Sequence, residues 1–266
     1  MLTSTQNPKV KYFHSLKTNK PRKTSGKFLV EGIHLVSEAI QAGLLDRVIY
    51  SEKILETSEG KGLIGKMISS GIPNEEANEH VIRHLSDVET PQGIIASVKP
   101  KAVDIGSLLE SSDPLIVVAC GIQDPGNLGT MIRTADAAGC SGLIMTQGCV
   151  NPYNDKVIRA SSGSIFHLNI VKIDDIIEVV SALKRRGIKV ISTLVGAEKE
   201  YYSADYNGPV AVMIGSESKG LPAEIERLSD VSVSIPMIGK AESLNAAVSC
   251  AIVLYEALRQ RRKNAG

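Results

Sequence analysis

Residues 115–129 read LIVVACGIQDPGNLG, an apolar run that passes directly into a loop rich in glycine. Ile116, Val117 and Val118 are β-branched, and a continuous apolar run of this kind is typical of a parallel strand buried on both faces. A helical pattern follows from residue 126 to Ala138, and Asn127 is available as its cap. This stretch therefore predicts a strand, a polar loop and a helix in succession.

The alternation of strand and helix continues to the end of the chain. Further strands are predicted at residues 143–145, 189–195, 210–214 and 231–235. Asp174 is expected to cap a helix that ends in Lys184–Gly187, and a closing helix is predicted over residues 243–262. Regular alternation predicts an α/β domain with a mostly parallel sheet and helices on both faces.

Residues 1–100 predict a smaller α/β domain. An apolar run at 28–30 precedes a helical pattern through Ile33, Val36 and Ile40, which Gly43 is placed to end in a left-handed conformation. Other predicted elements are strands at 47–51 and 93–98 and a glycine-interrupted helix at 60–71. The polar segment 101–114 is predicted to be a linker, and residues 115–266 to be the second domain.

Composition excludes several classes of protein. The 266 residues are 43% hydrophobic and 22% charged, which is ordinary for a globular chain. No apolar run reaches the roughly 18 residues that span a bilayer, and the N-terminus has no signal-peptide core, so a cytoplasmic protein is expected. The four cysteines form no C-x-x-C pair and are expected to be reduced thiols. His80 and His84 have no evident third ligand, so no metal is expected.

The distribution of basic residues is more informative than the net charge of +1. The first acidic residue is Glu31, and the basic residues before it are Lys9, Lys11, Lys17, Lys20, Arg22, Lys23 and Lys27. The other end closes with Arg259, Arg261, Arg262 and Lys263. Basic ends predict contact with a polyanion, favoured by release of its counterions. The alternative is that both ends are solvated and disordered.

Three glycine-containing loops leave the carboxyl ends of predicted strands, where ligands bind in open α/β sheets. They are Gln123–Gly129, Ile214–Pro222 and Ile235–Asn245. Arg133 lies about one helical turn after Gly129 and can reach back over the first loop. Glu217 stands between two glycines in the second. The chain lacks the dinucleotide fingerprint, the phosphate-binding loop and the nucleophile elbow.

Each loop by itself also fits ordinary turn formation. Pro222 suits the first position of a helix, and Ser243 suits a helix cap. Turn formation does not explain why all three loops lie at one edge of the predicted sheet, so a ligand site is favoured.

The loops resemble the three signature motifs of the SpoU/TrmH family of RNA methyltransferases. In order, the matching residues are Gly126–Gly129 with Arg133, Ile214–Glu217 with Gly220, and Ile235–Met237 with Ser243–Asn245. Arg159–Gly163 resembles a further family segment between the first two motifs. Asp124 stands where the family often has Asn, which leaves the core of the motif intact. The resemblance covers about residues 115 to 262.

The N-terminal part is similar to the RNA-binding extension that many family members carry. Asn7–Lys9, Phe28–Gly32 and Pro91–Ile94 resemble that extension, whose fold is similar to small ribosomal proteins. The resemblance also implies a deep trefoil knot in the C-terminal domain and a homodimer with cofactor sites near the subunit interface.

The resemblance implies S-adenosylmethionine as cofactor and a ribose 2′-hydroxyl of RNA as methyl acceptor. The residues implied to hold the cofactor, largely through backbone groups, are Thr193, Leu194, Gly196, Ile214, Gly215, Ile235, Met237, Ser243 and Leu244. Those implied to form the catalytic site are Arg133, Asn127, Glu217, Ser243 and Asn245. Those expected to contact RNA are Lys9, Lys11, Arg22, Lys23, Lys27 and Arg159.

Two roles for Arg133 stay open. The family assigns it activation of the hydroxyl, although a free arginine side chain stays protonated with a pKa above about 12 and makes an awkward base. A guanidinium is also well shaped to clamp an RNA phosphate. Asn127 and Asn245 would position the ribose or Arg133. Glu217 would orient Arg133 or the neighbouring loops, and Ser243 would combine a helix cap with a site contact.

Two other functions remain as alternatives. One is an RNA-binding or ribosome-assembly protein of the same fold that has lost catalysis, and the other is a knotted methyltransferase that modifies a ring nitrogen of a base. The intact set of Asn127, Arg133, Glu217 and Asn245 argues against the first. The basic segment and the extension favour a structured RNA, ribosomal rather than transfer RNA.

Overall fold

The computed structural model describes residues 1–264 and divides into two compact units. The first unit is Met1–Lys101 together with Tyr153–Ile158, and the second is Ala102–Pro152 together with the chain from Arg159 onward. The last two residues of the predicted domain 115–266 lie outside the described residues. No sequence pattern indicated that residues 153–158 would join the first unit.

The first unit is built on a four-stranded sheet in the order β1-β4-β2-β3. Strand β4 is antiparallel to β1 and to β2, and β3 is parallel to β2. The elements are α1 Pro8–Ser15, α2 Asn19–Ser25, β1 Phe28–Glu31, α3 Ile33–Gln41, β2 Leu45–Tyr50, a 3-10 turn Glu52–Glu56, α4 Ser58–Ser69, β3 Asn74–Glu76, α5 Glu79–Leu85 and β4 Ile94–Val98. The predicted small α/β domain is confirmed in type, while α1, α2, β3 and α5 were not predicted.

The basic N-terminal segment is folded. Helix α1 starts after Asn7, whose side chain accepts a hydrogen bond from the Lys9 backbone at 2.9 Å. Val10 and Phe13 have no exposed surface and pack against α5 and the sheet. The alternative of a disordered N-terminal segment is therefore wrong, because the segment supplies part of the core of the first unit.

Two predicted helix features of the first unit have different outcomes. Gly43 follows α3 with φ 69°, which confirms the left-handed end of that helix. The predicted break in α4 is wrong, since the helix runs without interruption from Ser58 to Ser69. Position 60 requires a glycine because the helix backbone closely approaches the Ile54 backbone: a Cβ at this position would lie 1.9 Å from the Ile54 carbonyl oxygen.

The second unit holds a seven-stranded sheet in the order β7-β6-β5-β10-β8-β11-β9, in which every pairing is parallel. Its elements are α6 Ile105–Leu108, β5 Leu115–Cys120, α7 Pro125–Ala137, β6 Gly142–Met145, a 3-10 turn Ser164–Phe166, β7 Ile170–Lys172, α9 Ile176–Arg185, β8 Lys189–Thr193, β9 Lys199–Glu200, a 3-10 turn Tyr201–Ser203, β10 Val210–Gly215, α10 Ala223–Leu228, β11 Val231–Ser234 and α11 Ala246–Asn264. Helix α8 Asp155–Ser161 belongs to the first unit as far as Ile158 and to the second unit from Arg159. The predicted parallel sheet is confirmed.

Helices cover both faces of this sheet. Ile116 and Val118 of β5 belong to a buried cluster with Leu183 of α9 and Ile225 of α10. The alternate residues of β5, such as Val117, are equally buried and point to the opposite face, where α7 and α11 pack together and contact β6 and β10. Burial on both faces explains why β5 is an uninterrupted apolar run.

Several element boundaries differ from the sequence expectations. Helix α9 is capped by Asp175, whose carboxylate accepts from the Ile177 backbone at 2.8 Å, and not by Asp174, which pairs with Lys172. Strand β8 ends at Thr193, and α11 begins only at Ala246. The segment 101–114, predicted to be a linker, contains α6 with Leu108 fully buried in the core.

The trefoil knot stays a prediction. No helix among the described residues combines the length and the apolar character needed to cross a membrane.

Candidate active site

The carboxyl edge of the parallel sheet brings together three segments that are far apart in sequence. Strands β5 and β10 pair so that Cys120 lies opposite Gly215, and their following loops leave the same edge. Asn127 lies in the first turn of α7, Glu217 follows β10, and Asn245 directly precedes α11. Parallel pairing therefore places one polar side chain from each motif at a common point.

These three side chains are joined by hydrogen bonds, and we call them the Asn–Glu–Asn network. The Asn127 amide nitrogen donates to Glu217 Oε1. The Asn245 amide nitrogen donates to Asn127 Oδ1 at 2.8 Å and to Glu217 Oε1 at 3.0 Å. The backbone N–H of Ala246 also donates to Glu217 Oε1, at 3.3 Å. One carboxylate oxygen therefore ties the second motif to the first and the third.

Helix capping sets the orientation of the amides in this network. Asn245 Oδ1 accepts from the backbone N–H groups of Ala247 at 3.0 Å and Val248 at 3.3 Å, at the start of α11. Its amide nitrogen must then face Asn127 and Glu217. Asn127 Oδ1 accepts from that nitrogen, so the Asn127 amide nitrogen is left to donate to the carboxylate. Each donor has an acceptor, and the arrangement has a single orientation.

The caps predicted from sequence are wrong in two places. Asn127 does not cap α7; Asp124 does, by accepting from the Asn127 backbone N–H at 2.8 Å. Ser243 does not cap α11, because the helix starts three residues later and Asn245 takes that role. In both cases the residue directly before the helix supplies the cap, whereas Asn127 lies inside α7 and Ser243 lies three residues before α11.

Arg133 lies on α7, about one and two-thirds turns beyond Asn127. Its side chain is exposed. Within residues 1–264 it makes no hydrogen bond or ion pair. Glu217 accepts hydrogen bonds from Asn127, Asn245 and Ala246 of the neighbouring loops and makes none to Arg133 among the described residues. The guanidinium is available to an external anion.

A cavity of about 620 Å³ lies beside the network in the second unit, and we call it the loop cavity. Its walls come from the ends of β8, β10 and β11 and the loops that follow them. All the residues expected to hold a cofactor line it: Thr193, Leu194, Gly196, Ile214, Gly215, Ile235, Met237, Ser243 and Leu244. Glu217 lines it as well and connects it to the network.

Glycine allows the second motif to fold tightly over this cavity. The Ser216 carbonyl accepts from the Gly220 backbone N–H at 2.8 Å, and Gly220 has φ 62°. A Cβ on Gly215 would lie 2.3 Å from the Gly220 carbonyl carbon. A side chain at Gly215 would therefore force this loop open.

The loop cavity suits S-adenosylmethionine in size, apolar surface and charge. Its volume falls within the range of about 300–1,000 Å³ usual for small-molecule sites. Leu194, Ile235 and Leu244 offer apolar surface for an adenine ring, and the glycine-containing loops expose backbone groups. The carboxylates on its wall complement a cation.

Sequence reasoning missed several residues of the loop cavity. Glu226 of α10 and Ser249 of α11 lie on helices that follow the motifs, and their contribution depends on the tertiary fold. Glu242 adjoins Ser243 in the third motif, so its position was the one signal that pointed to it.

The residues expected to contact RNA fall into two groups. Lys11 and Lys23 of the first unit and Arg159 of the second are exposed. Arg22 is 9% exposed and donates to the carbonyl oxygens of Tyr153 at 2.6 Å and Lys17 at 3.2 Å. Its burial lowers its pKa from the ordinary value. The structure thus gives Arg22 internal partners within the first unit.

Lys9 and Lys27 also have partners. Lys9 is paired with Glu75. Lys27 lies 2.7 Å from Asp46, which also accepts from Ser97 at 3.1 Å. The hydrogen bond from Lys27 to Asp46 raises the pKa of the lysine. Burial opposes ionisation of Asp46, but the hydrogen bonds from Lys27 and Ser97 hold its pKa below the ordinary value.

The cysteines are free thiols, with Cys120 and Cys250 buried and Cys140 and Cys149 partly buried. Burial raises the pKa of Cys140 to about 12 and moves the others in the same direction. Over residues 1–264, no group of three or more His, Cys, Asp or Glu side chains is arranged to hold a metal ion.

Family models match both parts of the chain. Residues 114–255 match the SpoU rRNA Methylase family, and residues 7–96 match the MRM3-like substrate binding domain.

Several known proteins are similar to this chain over almost its whole length. The 23S rRNA (guanosine(2553)-2'-O)-methyltransferase RlmP of Bacillus subtilis is 32% identical over 96% of this chain and 97% of its own. The 23S rRNA (uridine(2479)-2'-O)-methyltransferase of Streptomyces viridochromogenes is 31% identical over 97% and 92%. The crystal structure of an AdoMet-bound rRNA methyltransferase from Sinorhizobium meliloti has a TM-score of 0.85 at 30% identity and covers 97% of each chain. This chain belongs to the SpoU rRNA methylase family.

Proposed function

We propose that this chain is an S-adenosylmethionine-dependent enzyme that methylates a ribose 2′-hydroxyl of a structured RNA, ribosomal in preference to transfer RNA. The observation that carries the proposal is the Asn–Glu–Asn network beside the loop cavity, with the exposed Arg133 on the helix that bears Asn127. The two curated relatives described above are 23S rRNA 2'-O-methyltransferases, which supports ribosomal RNA as the substrate. One is named for a guanosine and the other for a uridine, so membership of the family does not identify the base.

The residues on the walls of the loop cavity would hold the cofactor. When bound there, it supplies a methyl group on a sulfonium, which is a good leaving group. The protein then has to align the acceptor hydroxyl and accommodate its proton. Leu194, Ile235 and Leu244 exclude water from the apolar part, while the second loop, held closed at Gly215 and Gly220, offers backbone groups to the rest.

Arg133 would act on the RNA. In one role its guanidinium binds the phosphate next to the target ribose and thereby aligns the 2′-hydroxyl; in the other it contacts that hydroxyl and favours loss of its proton. The Asn–Glu–Asn network holds the loop at the start of α7 against the other two motifs, so that Arg133 is carried on a fixed helix.

RNA would also contact the first unit, whose residues match a substrate binding domain. We assign the main contacts to exposed Lys11 and Lys23, with Arg159 in the second unit. Lys9 and Lys27 would contribute less because they already have carboxylate partners, and Arg22 would be structural.

We further propose a homodimer that works in the cytoplasm. Val248 and Tyr255, both on α11, are 48% and 51% exposed, and Val195 and Ile238 beside the loop cavity are 75% and 99% exposed. Large apolar side chains exposed on one helix and at a site rim are suited to burial against a second copy.

Methyl transfer to total RNA from a strain that lacks this gene tests the proposal. Wild type with methyl-labelled S-adenosylmethionine should produce a labelled 2′-O-methyl nucleoside, and Arg133→Ala should reduce the label at least 100-fold while still binding the cofactor. Arg185→Ala, an exposed arginine on α9, is the matched control and should keep full activity. Arg133→Lys should also fail, because lysine keeps the charge and loses the planar fork.

The results separate this function from the alternatives. Label in a ring-methylated base would contradict ribose methylation. Cofactor binding without label in naked RNA would direct the assay to ribosome-assembly intermediates. Absence of cofactor binding would contradict the enzyme and favour an RNA-binding protein of the same fold.

A further inference from the structure

The wall of the loop cavity is acidic. Its described lining residues include the carboxylates Glu217, Glu226 and Glu242 and contain no lysine, arginine or histidine. The three come from different segments: Glu217 follows β10, Glu226 lies on α10, and Glu242 precedes α11. The tertiary fold therefore concentrates negative charge around one ligand volume.

Among the described residues, only one of the three carboxylates has hydrogen-bond partners. Glu217 accepts from Asn127, Asn245 and Ala246 in the Asn–Glu–Asn network. Glu226 and Glu242 are exposed, and their carboxylates make no hydrogen bond or ion pair with any residue in 1–264. Like charges on one cavity wall repel each other, so these two side chains bring no gain to the fold.

The proposed reaction changes the charge of the ligand in this cavity. The ribose hydroxyl loses its proton and its oxygen bonds to the methyl carbon, while the carbon–sulfur bond breaks and the electron pair stays on sulfur. A sulfonium thus becomes a neutral thioether, and the proton passes to solvent. With its amino and carboxylate groups counted, the methyl donor carries net charge +1 and the product carries zero.

We infer that Glu226 and Glu242 are specificity-determining residues that make the loop cavity bind the cationic methyl donor more tightly than its neutral product. This inference rests on the proposed function. Negative wall charge stabilises the sulfonium by Coulomb attraction and gives no such net stabilisation to the thioether. Product therefore leaves more readily, and the donor competes well in a cell that contains both.

Binding measurements on the full chain test the inference. Isothermal titration calorimetry would give Kd for S-adenosylmethionine and S-adenosylhomocysteine with wild type, Glu226→Gln, Glu242→Gln and the double variant. We expect each single change to weaken the donor about 3- to 10-fold and the product less than about 2-fold. The loss should shrink in about 1 M salt, where charges are screened within roughly 3 Å.

Glu224→Gln is the matched control, because Glu224 is exposed on the same helix and does not line the cavity. It should leave both constants unchanged. The Kd of a third ligand, an analogue with a protonated amine in place of the sulfonium, should rise in the same variants as the Kd of the donor. The reason is that the carboxylates recognise the positive charge and not the methyl group. Thermal unfolding of each variant shows that the fold is kept.

The possible outcomes are distinct. A fall in the ratio of product Kd to donor Kd supports the inference. Equal weakening of both ligands, or no weakening of either, overturns it while leaving the methyltransferase function in place. If wild type binds neither ligand, the proposed function itself fails.

Discussion

The loops at the carboxyl edge of the parallel sheet and the basic segment at the N-terminus both concentrate polar side chains, but these side chains find different partners. In the loops, Asn127, Glu217 and Asn245 bond to one another across three distant parts of the chain. In the basic segment, Lys27 and Arg22 bond to groups within the first unit. Sequence motifs with fixed spacing named the residues that meet in the loops, whereas a count of charges gave no indication that Lys27 and Arg22 have partners within the first unit.

The difference has a physical cause. Asn127 follows Gly126 in the first turn of α7 and Asn245 directly precedes α11, so the local backbone decides where these two short side chains point. A lysine or arginine has a long flexible side chain, and its partner depends on which carboxylate or carbonyl the fold brings within reach. Charge at a chain end therefore predicts a polyanion contact only for those cations that the fold leaves exposed.

The largest effect is expected for a change at Asn245, whose amide nitrogen donates to both Asn127 and Glu217. Asn245→Asp keeps an oxygen to cap α11 but replaces the donating nitrogen, which lies 3.0 Å from Glu217 Oε1, with a second carboxylate oxygen. Repulsion between the new carboxylate and Glu217 should separate the loops of the three motifs. We expect methyl transfer to fall about 100-fold and the melting temperature to drop.

Asp124→Asn is the matched control for that change. Asp124 caps α7 and contacts no other motif, and Asn is an equally good cap. This variant should keep at least about half of the activity. If Asn245→Asp is just as active, the Asn–Glu–Asn network is not required for catalysis.

An intermediate effect, on stability, is expected at the basic C-terminus. Arg261 has a side chain that is 17% exposed, and it donates to the carbonyl oxygens of Tyr206, Asp113, Pro114 and Gly208. Arg261→Met leaves these acceptors without their donor and should lower the free energy of unfolding by about 2–4 kcal/mol. Denaturant unfolding measures the loss.

The neighbouring Arg262 is exposed, and Arg262→Met should change the free energy of unfolding by less than about 0.5 kcal/mol. Equal stability of the two variants would show that the C-terminal arginines act as a solvated cluster, as the charge count alone suggests.

The smallest effect is expected for single cations on the first unit. Lys11→Gln and Lys23→Gln should each weaken RNA binding a few-fold and reduce the salt slope of log K by about 0.7 to 0.9. Lys27→Gln should leave the slope unchanged, because Lys27 is paired with Asp46. Filter binding between about 50 and 300 mM salt gives the slopes.

Point substitutions are needed here because a deletion of residues 1–27 would also remove buried side chains from the core of the first unit. Val10, Phe13 and Leu16 are buried, so a deletion would destabilise the first unit and confuse folding with binding. If all three lysine variants have the wild-type slope, RNA does not contact this segment.

Much of the second unit could be predicted from sequence. The apolar run of β5, the left-handed Gly187 after α9 and the order of strands and helices are local signals. The nine residues that the motif resemblance implied to hold the cofactor were also named from sequence, and all of them line the loop cavity, whereas Glu226, Glu242 and Ser249 were missed. The attachment of residues 153–158 to the first unit could not be predicted, because it depends on contacts such as the Phe28–Tyr153 ring stack across more than a hundred residues.

The sequence by itself determined the fold class, the family and the motif residues at the site, because apolar periodicity and motif spacing are properties of short segments. The tertiary structure alone decided which polar groups meet. It places Glu217 within hydrogen-bond distance of both asparagines and pairs Arg22 and Arg261 with backbone carbonyl oxygens. It also leaves Arg133, Glu226 and Glu242 exposed. A hydrogen bond needs its two atoms within about 3 Å, and for residues far apart in the chain only the packing of strands and helices sets that distance.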